Sequence, residues 1–297
     1  MIDLKVGVIG LPGKWSTEAL ADAVEHATGF RHVIDMAELR ADLTTGAVYA
    51  GATKISDYDA LLVKKISAEY NPNTLDRLEL LRWCEHQGVR VMSPALNILR
   101  LIDRLSCTVT LRQHQIPMPP TTITESIDAA MNAVEQYGSA IFKPLYSTKA
   151  RGMVVIDNSM NQQQRRQHIE SFKQQNPMMY IQQKLDLSGR DMGLVFLGGE
   201  YLGAYARVAQ TDSWNTTIHS GGKYQAASLS EDVIEMAFRA QQPFGMDFTT
   251  VDVAETATGP VVFEVSAFGG FRGAKDGIGI DAAKRYVDYA INQLKPC

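Results

Sequence analysis

One stretch constrains this chain more than any other: residues 249–270, TTVDVAETATGPVVFEVSAFGG. Two apolar, β-branched runs, 249–254 and 260–265, flank the turn-forming Thr256-Ala257-Thr258-Gly259, which is the signature of a β-hairpin. Each run carries one acid where the pattern takes an apolar residue, Asp252 and Glu264. Side chains alternate faces along a strand, and antiparallel pairing brings two such faces within a few ångströms. Two carboxylates so placed repel unless a cation lies between them. Magnesium held by a couple of carboxylates and by substrate phosphates is the usual arrangement. A solvated face carrying two ordinary acids is the competing reading. Ser266 offers a third oxygen on the same face, and the glycine-rich FGGFRG at 268–273, before a helix, is a place where backbone can approach a ligand.

Composition narrows what such a site can serve. A chain of 297 residues suggests about two domains, and a formal charge of −4 without a basic block gives no electrostatic support to a nucleic-acid or membrane-surface role. Cys84, Cys107 and Cys297 show no paired spacing, which fits a reducing compartment without disulfides or zinc. The opening MIDLKVGVIG is no signal peptide, and no apolar run is long enough to span a bilayer. The expectation is a soluble, cytoplasmic protein.

In chain order, residues 5–10 read as a buried strand, followed by a glycine turn and a helix over 16–27 that Gly29 ends. Strands near 32–35, 60–66 and 89–92 and a helix over 73–87 alternate with them, predicting a small parallel sheet covered by helices. The turn Gly10-Leu11-Pro12-Gly13-Lys14 resembles a phosphate loop, but Val8 stands at the first glycine position and Trp15 at the hydroxyl position, so it reads as a structural turn. A long helix is expected over 95–114, then a proline-rich breaker, a strand over 121–124, a helix over 126–137, and the apolar strand 139–144. That strand carries Lys143, which either points to water from an edge or meets an anion inside. The loop with Ser147, Lys149 and Arg151 reads as a lid for a triphosphate or as a solvated turn. Strand 179–185 carries Gln182 and Gln183, able to read a planar base; a meander, a polar loop at 214–222 and a terminal helix over 280–294 complete the chain.

The order of these features resembles the ATP-grasp superfamily, and within it the RimK-like carboxylate–amine ligases. Phe263-Glu264-Val265-Ser266 aligns with that family's M-E-V-N, and Gly279-Ile280-Asp281-Ala282-Ala283 with its G-I-D-I-A. The wording of 143–152 further resembles the ATP-grasp member of the so-called GAK gene systems. The resemblance covers about 103–292 and implies an α/β architecture: an N-terminal small parallel α/β domain (1–94), then a two-lobed ATP-grasp domain. Its small lobe would be 95–180 with the lid loop 146–152, and its large lobe 181–297 with the metal site.

Carried over position by position, the resemblance implies ATP contacts from Lys143, Arg104, Ser147, Lys149 and Arg151, with Gln182, Gln183 and the backbone of Lys184 and Leu185 at the base. Asp191 matches the acid after the ribose-binding turn, and Arg207 an arginine facing the reacting phosphoryl group. Asp252, Glu264 and Ser266 would hold magnesium, as two ions bridged by Glu264, or manganese in its place. Asn215 is expected to assist catalysis; Thr217, His219, Gly221 and Arg272 are expected to touch substrate, with loop bracing the alternative for His219 and a surface role for Arg272. Ser266 replaces the family's Asn, Gly193 and Asn215 replace its arginines, and Thr217 its Asn. The implied reaction joins an acid, small molecule or peptide tail, to an amine through an acylphosphate, in a homodimer or homotetramer. A kinase-like phosphotransferase and a nucleotide-binding module without ligase activity are the alternatives.

Overall fold

The computed structural model describes residues 4–72, 74–147, 150–187, 189–208 and 223–295. β1 (Val6–Ile9), apolar and buried throughout, turns into α1 (Trp15–Thr28), which Gly29 ends at φ 77°. Glycine suits that cap because it has no Cβ to clash in the left-handed region. The Gly10–Gly13 turn closes on its own helix: Thr17 Oγ1 accepts from the Leu11 N–H at 3.2 Å and Glu18 from the Gly13 N–H at 2.6 Å. Those N–H groups serve the helix, in keeping with a structural turn.

β2 (Val33–Ile34), β6 (Ala60–Val63) and β7 (Arg90–Met92) join β1 in a parallel sheet of order β2-β1-β6-β7, with α2 (Thr74–His86) crossing between the last two. Between β2 and β6 lies an antiparallel meander that the sequence pattern does not announce: β3 (Leu39–Asp42), β4 (Ala47–Ala50) and β5 (Thr53–Lys54). Its strands are short and mix exposed and buried positions without clean alternation. The strand expected over 60–66 stops at Val63, which leaves Lys64 and Lys65 in the connection beyond the sheet.

The single helix expected over 95–114 is two, α3 (Ala95–Ile102) and α4 (Arg104–Gln113). Asp103 breaks it by taking an extended conformation and accepting from the Leu105 N–H at 3.0 Å, an N-cap. The break sets Arg104 at the first turn of α4, facing the cavity described below.

β8 (Thr121–Thr124), β9 (Ser139–Lys143), β10 (Val154–Asp157) and β11 (Met179–Gln183) form an antiparallel sheet of order β10-β9-β11-β8. It packs against α5 (Ile127–Tyr137) and α6 (Gln162–Gln175) around its own core, with Phe142, Ile169 and Phe172 at the centre. A lobe boundary at 180 would cut β11, which pairs with β8 and β9 along its length and belongs wholly to this sheet. Residues 95–113 do not share that core; Ile98 and Leu111 pack with Val262 and Val265 of the larger sheet.

That larger sheet has order β14-β13-β12-β15-β16, all antiparallel: β12 (Arg190–Leu197), β13 (Glu200–Val208), β14 (Lys223–Ala226), β15 (Phe248–Thr256) and β16 (Gly259–Ser266). Along β12, Met192, Leu194 and Phe196 face one way, toward α7 (Glu231–Gln241), while Val195 faces the other, as a period of two requires. The second face meets α8 (Phe271–Ile278), α9 (Ala282–Leu294) and the N-terminal sheet; Phe248 stacks on Tyr286 at 5.4 Å and meets Phe271 edge-on at 5.0 Å. The N-terminal sheet and the larger sheet therefore share cores, whereas the smaller sheet keeps its own. No helix among the described residues is long and apolar enough to cross a membrane.

Candidate active site

A cavity of about 470 Å³ opens between the β8–β11 sheet and the β12–β16 sheet, a size suited to a small-molecule ligand. The hairpin that opened the sequence reading forms one wall. Asp252 on β15 lies directly opposite Glu264 on β16, as the alternation pattern predicts. The register then slips, with Val253 opposite Val262, so Phe263 is an extra residue in β16. This bulge brings both Phe263 and Glu264 to the cavity, which a strict period of two would not allow.

Cross-strand neighbours carry the rest of this wall. Asp191 on β12 stands opposite Arg207 on β13, and Gly193 opposite both Asp252 and Tyr205. Arg207 Nε donates to both Asp191 oxygens at 3.1 Å, and Nη2 reaches Asp191 and, at 3.0 Å, Asp252. Burial alone would lower the Arg207 pKa, but Asp252 and Asp191 outweigh it and raise it further, so the guanidinium stays charged. Burial raises the Asp252 pKa; Arg207 opposes that, while Glu264 and Asp191 add to it. Asp191 thus belongs to this buried ion triad and also lines the cavity.

Asp252 Oδ1 is buried and has no hydrogen-bond partner. With Glu264 opposite and Ser266 on the same wall, the donor set is all oxygen and suits a hard cation completed by phosphates and water. Among the described residues no group of three or more His, Cys, Asp or Glu is placed to hold a metal ion by itself.

The opposite wall comes from β9 and β11. Lys143 is buried, not at an edge facing water, and donates to Gln182 Oε1 at 2.5 Å. Burial first, then Arg104, pushes its ammonium down to about 7, with Glu264 pulling the other way. Gln182 is accordingly a positioning group: its amide nitrogen donates to Thr121 and Tyr180, and it is not available to read a base. Its neighbour Gln183, on the other strand face, lines the cavity with Ile141, Met153 and Leu185. The Lys184 N–H donates to Ser139 at 2.9 Å, so Leu185 is the member of that pair that lines the cavity.

Arg104 connects the walls. Its side chain donates to the Pro144 carbonyl at 3.1 Å, to Ser147 at 3.3 Å and to Glu264 at 3.2 Å. Cys107 also lines the cavity, but burial pushes its thiol up to about 12, which removes it as a nucleophile.

Several expected contacts fall elsewhere. Arg151 is exposed and pairs with Glu69 at 3.2 Å beside a second cavity. Arg272 lies over the Trp15 ring at 4.5 Å and faces Asp276 at 3.6 Å, off the main cavity wall. The glycines at 269, 270 and 273 make room for protein side chains, not for a ligand: a Cβ on Gly269 would meet Phe248, and one on Gly270 or Gly273 would meet Tyr205. A Cβ on Gly193 would also lie 2.5 Å from the Tyr205 ring, which accounts for glycine at this position. Lys149, Asn215, Thr217, His219 and Gly221 lie outside the described residues. The sequence reading missed Phe263, Tyr224 and Lys65, all on the cavity wall; only Lys65, a cation directly after a buried strand, left a trace in the pattern.

Three comparisons bear on this arrangement. The profile of the RimK-like ATP-grasp domain matches residues 102–290. The tetrahydromethanopterin:α-L-glutamate ligase of Methanosarcina acetivorans is 27% identical, covering 98% of this chain and 99% of that protein. The ribosomal protein bS6–L-glutamate ligase of Salmonella schwarzengrund is 24% identical over 99% of this chain and 97% of its own length. Among solved structures, the ATP-grasp ligase PsnB complexed with minimal precursor, Mg and ADP superposes with a TM-score of 0.75 at 18% identity, covering 99% of each chain.

Proposed function

The chain belongs to the RimK-like ATP-grasp domain family, and from that premise we propose that it is an ATP- and magnesium-dependent ligase joining an amino acid, L-glutamate foremost, to a carboxylate through an amide bond. One observation carries this reading: a cavity with an opposed Asp252/Glu264 pair and two arginines at one wall, and a buried lysine beside an apolar slot at the other.

Each residue then has a task. Ile141, Met153, Leu185 and Gln183 receive the adenine, and Lys143 meets the phosphates. Asp252, Glu264 and Ser266 would hold magnesium, which when bound supplies neutralising charge to the triphosphate oxygens. Arg104 and Arg207, now bound to those carboxylates, are within reach of the same oxygens and stabilise charge as it shifts. The acid's carboxylate oxygen attacks the γ-phosphorus, the bond to the bridging oxygen breaks, and ADP departs. The amine then attacks the acyl carbon, loses a proton, and phosphate leaves with the C–O electron pair. The protein positions the partners and keeps water from the acylphosphate.

The test is an ADP-release assay with L-glutamate and a panel of carboxylate acceptors, run with and without hydroxylamine. ADP should depend on the acid, and hydroxylamine should yield a hydroxamate. ATP turnover indifferent to every acid and amine would overturn the reading.

A further inference from the structure

A buried chain of hydrogen bonds crosses from the smaller sheet to the helix packed on the larger one, and it starts at Lys143. Tyr180 stands directly opposite Lys143 in the β9/β11 pair, and Gln182, two residues on, shares its strand face. Lys143 donates to Gln182 Oε1 at 2.5 Å; the Gln182 amide nitrogen donates to Thr121 at 3.1 Å and to the Tyr180 hydroxyl at 3.2 Å. Thr108 lies 3.0 Å from that hydroxyl and belongs to α4, whose Cys107 and Leu111 pack with Val262 and Val265 of the larger sheet.

Proton counting fixes the direction of these bonds. The Thr121 hydroxyl gives its proton to the Pro119 carbonyl at 2.9 Å, so toward Gln182 it can only accept. Tyr180 likewise accepts from Gln182, and its own proton has the Thr108 hydroxyl to go to. Both N–H groups of the amide are thereby engaged, which turns Oε1 to the ammonium; a reversed amide would set N–H groups against a lysine that can only donate. Lys143, Gln182, Tyr180 and Thr108 are all buried, where a polar group deprived of its partner is costly, so the chain holds together as a unit. Its two ends, Lys143 and Thr108, line the cavity, whereas Gln182 and Tyr180 stand behind the wall. Thr108 is one turn beyond Arg104 on α4, and the Arg104 guanidinium lies 5.9 Å from the centre of the Tyr180 ring.

Resting on the reading of Lys143 as a phosphate contact, we propose that Tyr180 is a positioning residue for nucleotide binding: its hydroxyl, braced by Thr108, orients Gln182 so that Lys143 is held toward the phosphates in register with Arg104. The physical need lies in the lysine itself. An ammonium on a flexible four-carbon stem has no direction of its own, and a carboxylate that fixed it would also cancel the charge the phosphates require. A neutral amide oxygen avoids that cancellation, but the amide must then be held one way round, and Tyr180 does so without touching the ligand.

Calorimetry of ADP with saturating magnesium, on the full chain, tests this through a double-mutant cycle. Tyr180→Phe keeps the ring beside Arg104 and removes only the hydroxyl; it should weaken ADP about tenfold. Gln182→Leu should weaken it at least as much, and Thr108→Val less, because Tyr180 can still accept from Gln182 without Thr108. In a Lys143→Met chain, Tyr180→Phe should change ADP affinity less than about twofold, since the group it positions is gone. A Tyr180→Phe loss as large in the Lys143→Met chain as in the parent, or unchanged ADP affinity in both Tyr180→Phe and Gln182→Leu, would overturn the proposal. Failure of the underlying reading looks different: Lys143→Met would itself leave ADP affinity intact. If Lys143→Met weakens ADP while Tyr180→Phe does not, the nucleotide reading stands and this inference alone falls.

Discussion

The two walls of the cavity solve one electrostatic problem in opposite ways. On the β9/β11 wall, the buried Lys143 is held by a neutral amide, Gln182, within a lobe that has its own core. On the β12/β13/β15/β16 wall, Arg207 is held by two carboxylates, and Arg104 bridges to Glu264. A neutral partner orients a lysine without cancelling its charge, and desolvation then leaves the ammonium close to neutrality and eager for an anion. Carboxylate partners pre-position both arginines and keep Arg207 charged, and the same oxygens remain chemically suited to a metal. The small-sheet wall is thus sensitive to pH and the large-sheet wall to the removal of a partner.

The largest effect expected from breaking this contrast comes from Asp252→Ala, which should lower acid-dependent ADP formation by at least about 10³-fold. A loss below tenfold would show that the large-sheet wall does not organise the chemistry. Next, Arg207→Met removes the cation that Asp191 and Asp252 share and should destabilise the fold by about 3–5 kcal/mol. Urea denaturation checks this, and adding Asp252→Asn should recover part of the loss; a neutral single variant would mean that the triad is not what braces the wall.

Gly193 separates the triad from the Tyr205 ring, with a Cβ there predicted at 2.5 Å from the ring. Gly193→Ala should therefore cost about 1–3 kcal/mol in urea unfolding, as overpacking does. The penalty should shrink when Tyr205 is truncated to Ala in the same chain, since contacting sites are not additive. Independent additive losses would refute the glycine's role as room for the ring.

The smallest effect concerns the other wall. Lys143 sits at about 7 before a ligand arrives, and phosphate favours its charged form, so binding takes up a proton above that pH. Nucleotide affinity should be flat on the acid side and fall by roughly tenfold per pH unit on the alkaline side, a slope that Lys143→Met should abolish. Calorimetry in buffers of different ionisation enthalpy measures the proton directly. A slope that survives in Lys143→Met belongs to another group.

How much of this was legible in the sequence differs by feature. The hairpin with Asp252 opposite Glu264 follows from alternation and a turn, because both acids sit on local patterns that pairing must respect. The buried Lys143 was one of two open readings, since an apolar strand does not say whether its end is wet. Gln182 and Gln183 differ only by the strand face they occupy, and only pairing with β9 and β8 decides which one supports the lysine. The split at Asp103 turns on a side chain capping its own backbone, an alternative that helical periodicity over 95–114 conceals. Arg272, by contrast, looked placed by its glycine loop, yet α8 begins early enough to carry it onto Trp15.

The sequence by itself determined the local order: which runs are strands, which glycines stop helices, and which two acids share a hairpin. These depend on neighbours a few residues away, where side-chain periodicity and turn chemistry act directly. Only the tertiary structure decided which cations meet which carboxylates, why glycine stands at 193, and that Lys65 from the first sheet reaches the cavity. Those outcomes depend on burial and on contacts between residues far apart in the chain, and no local pattern encodes the solvent a side chain will lose.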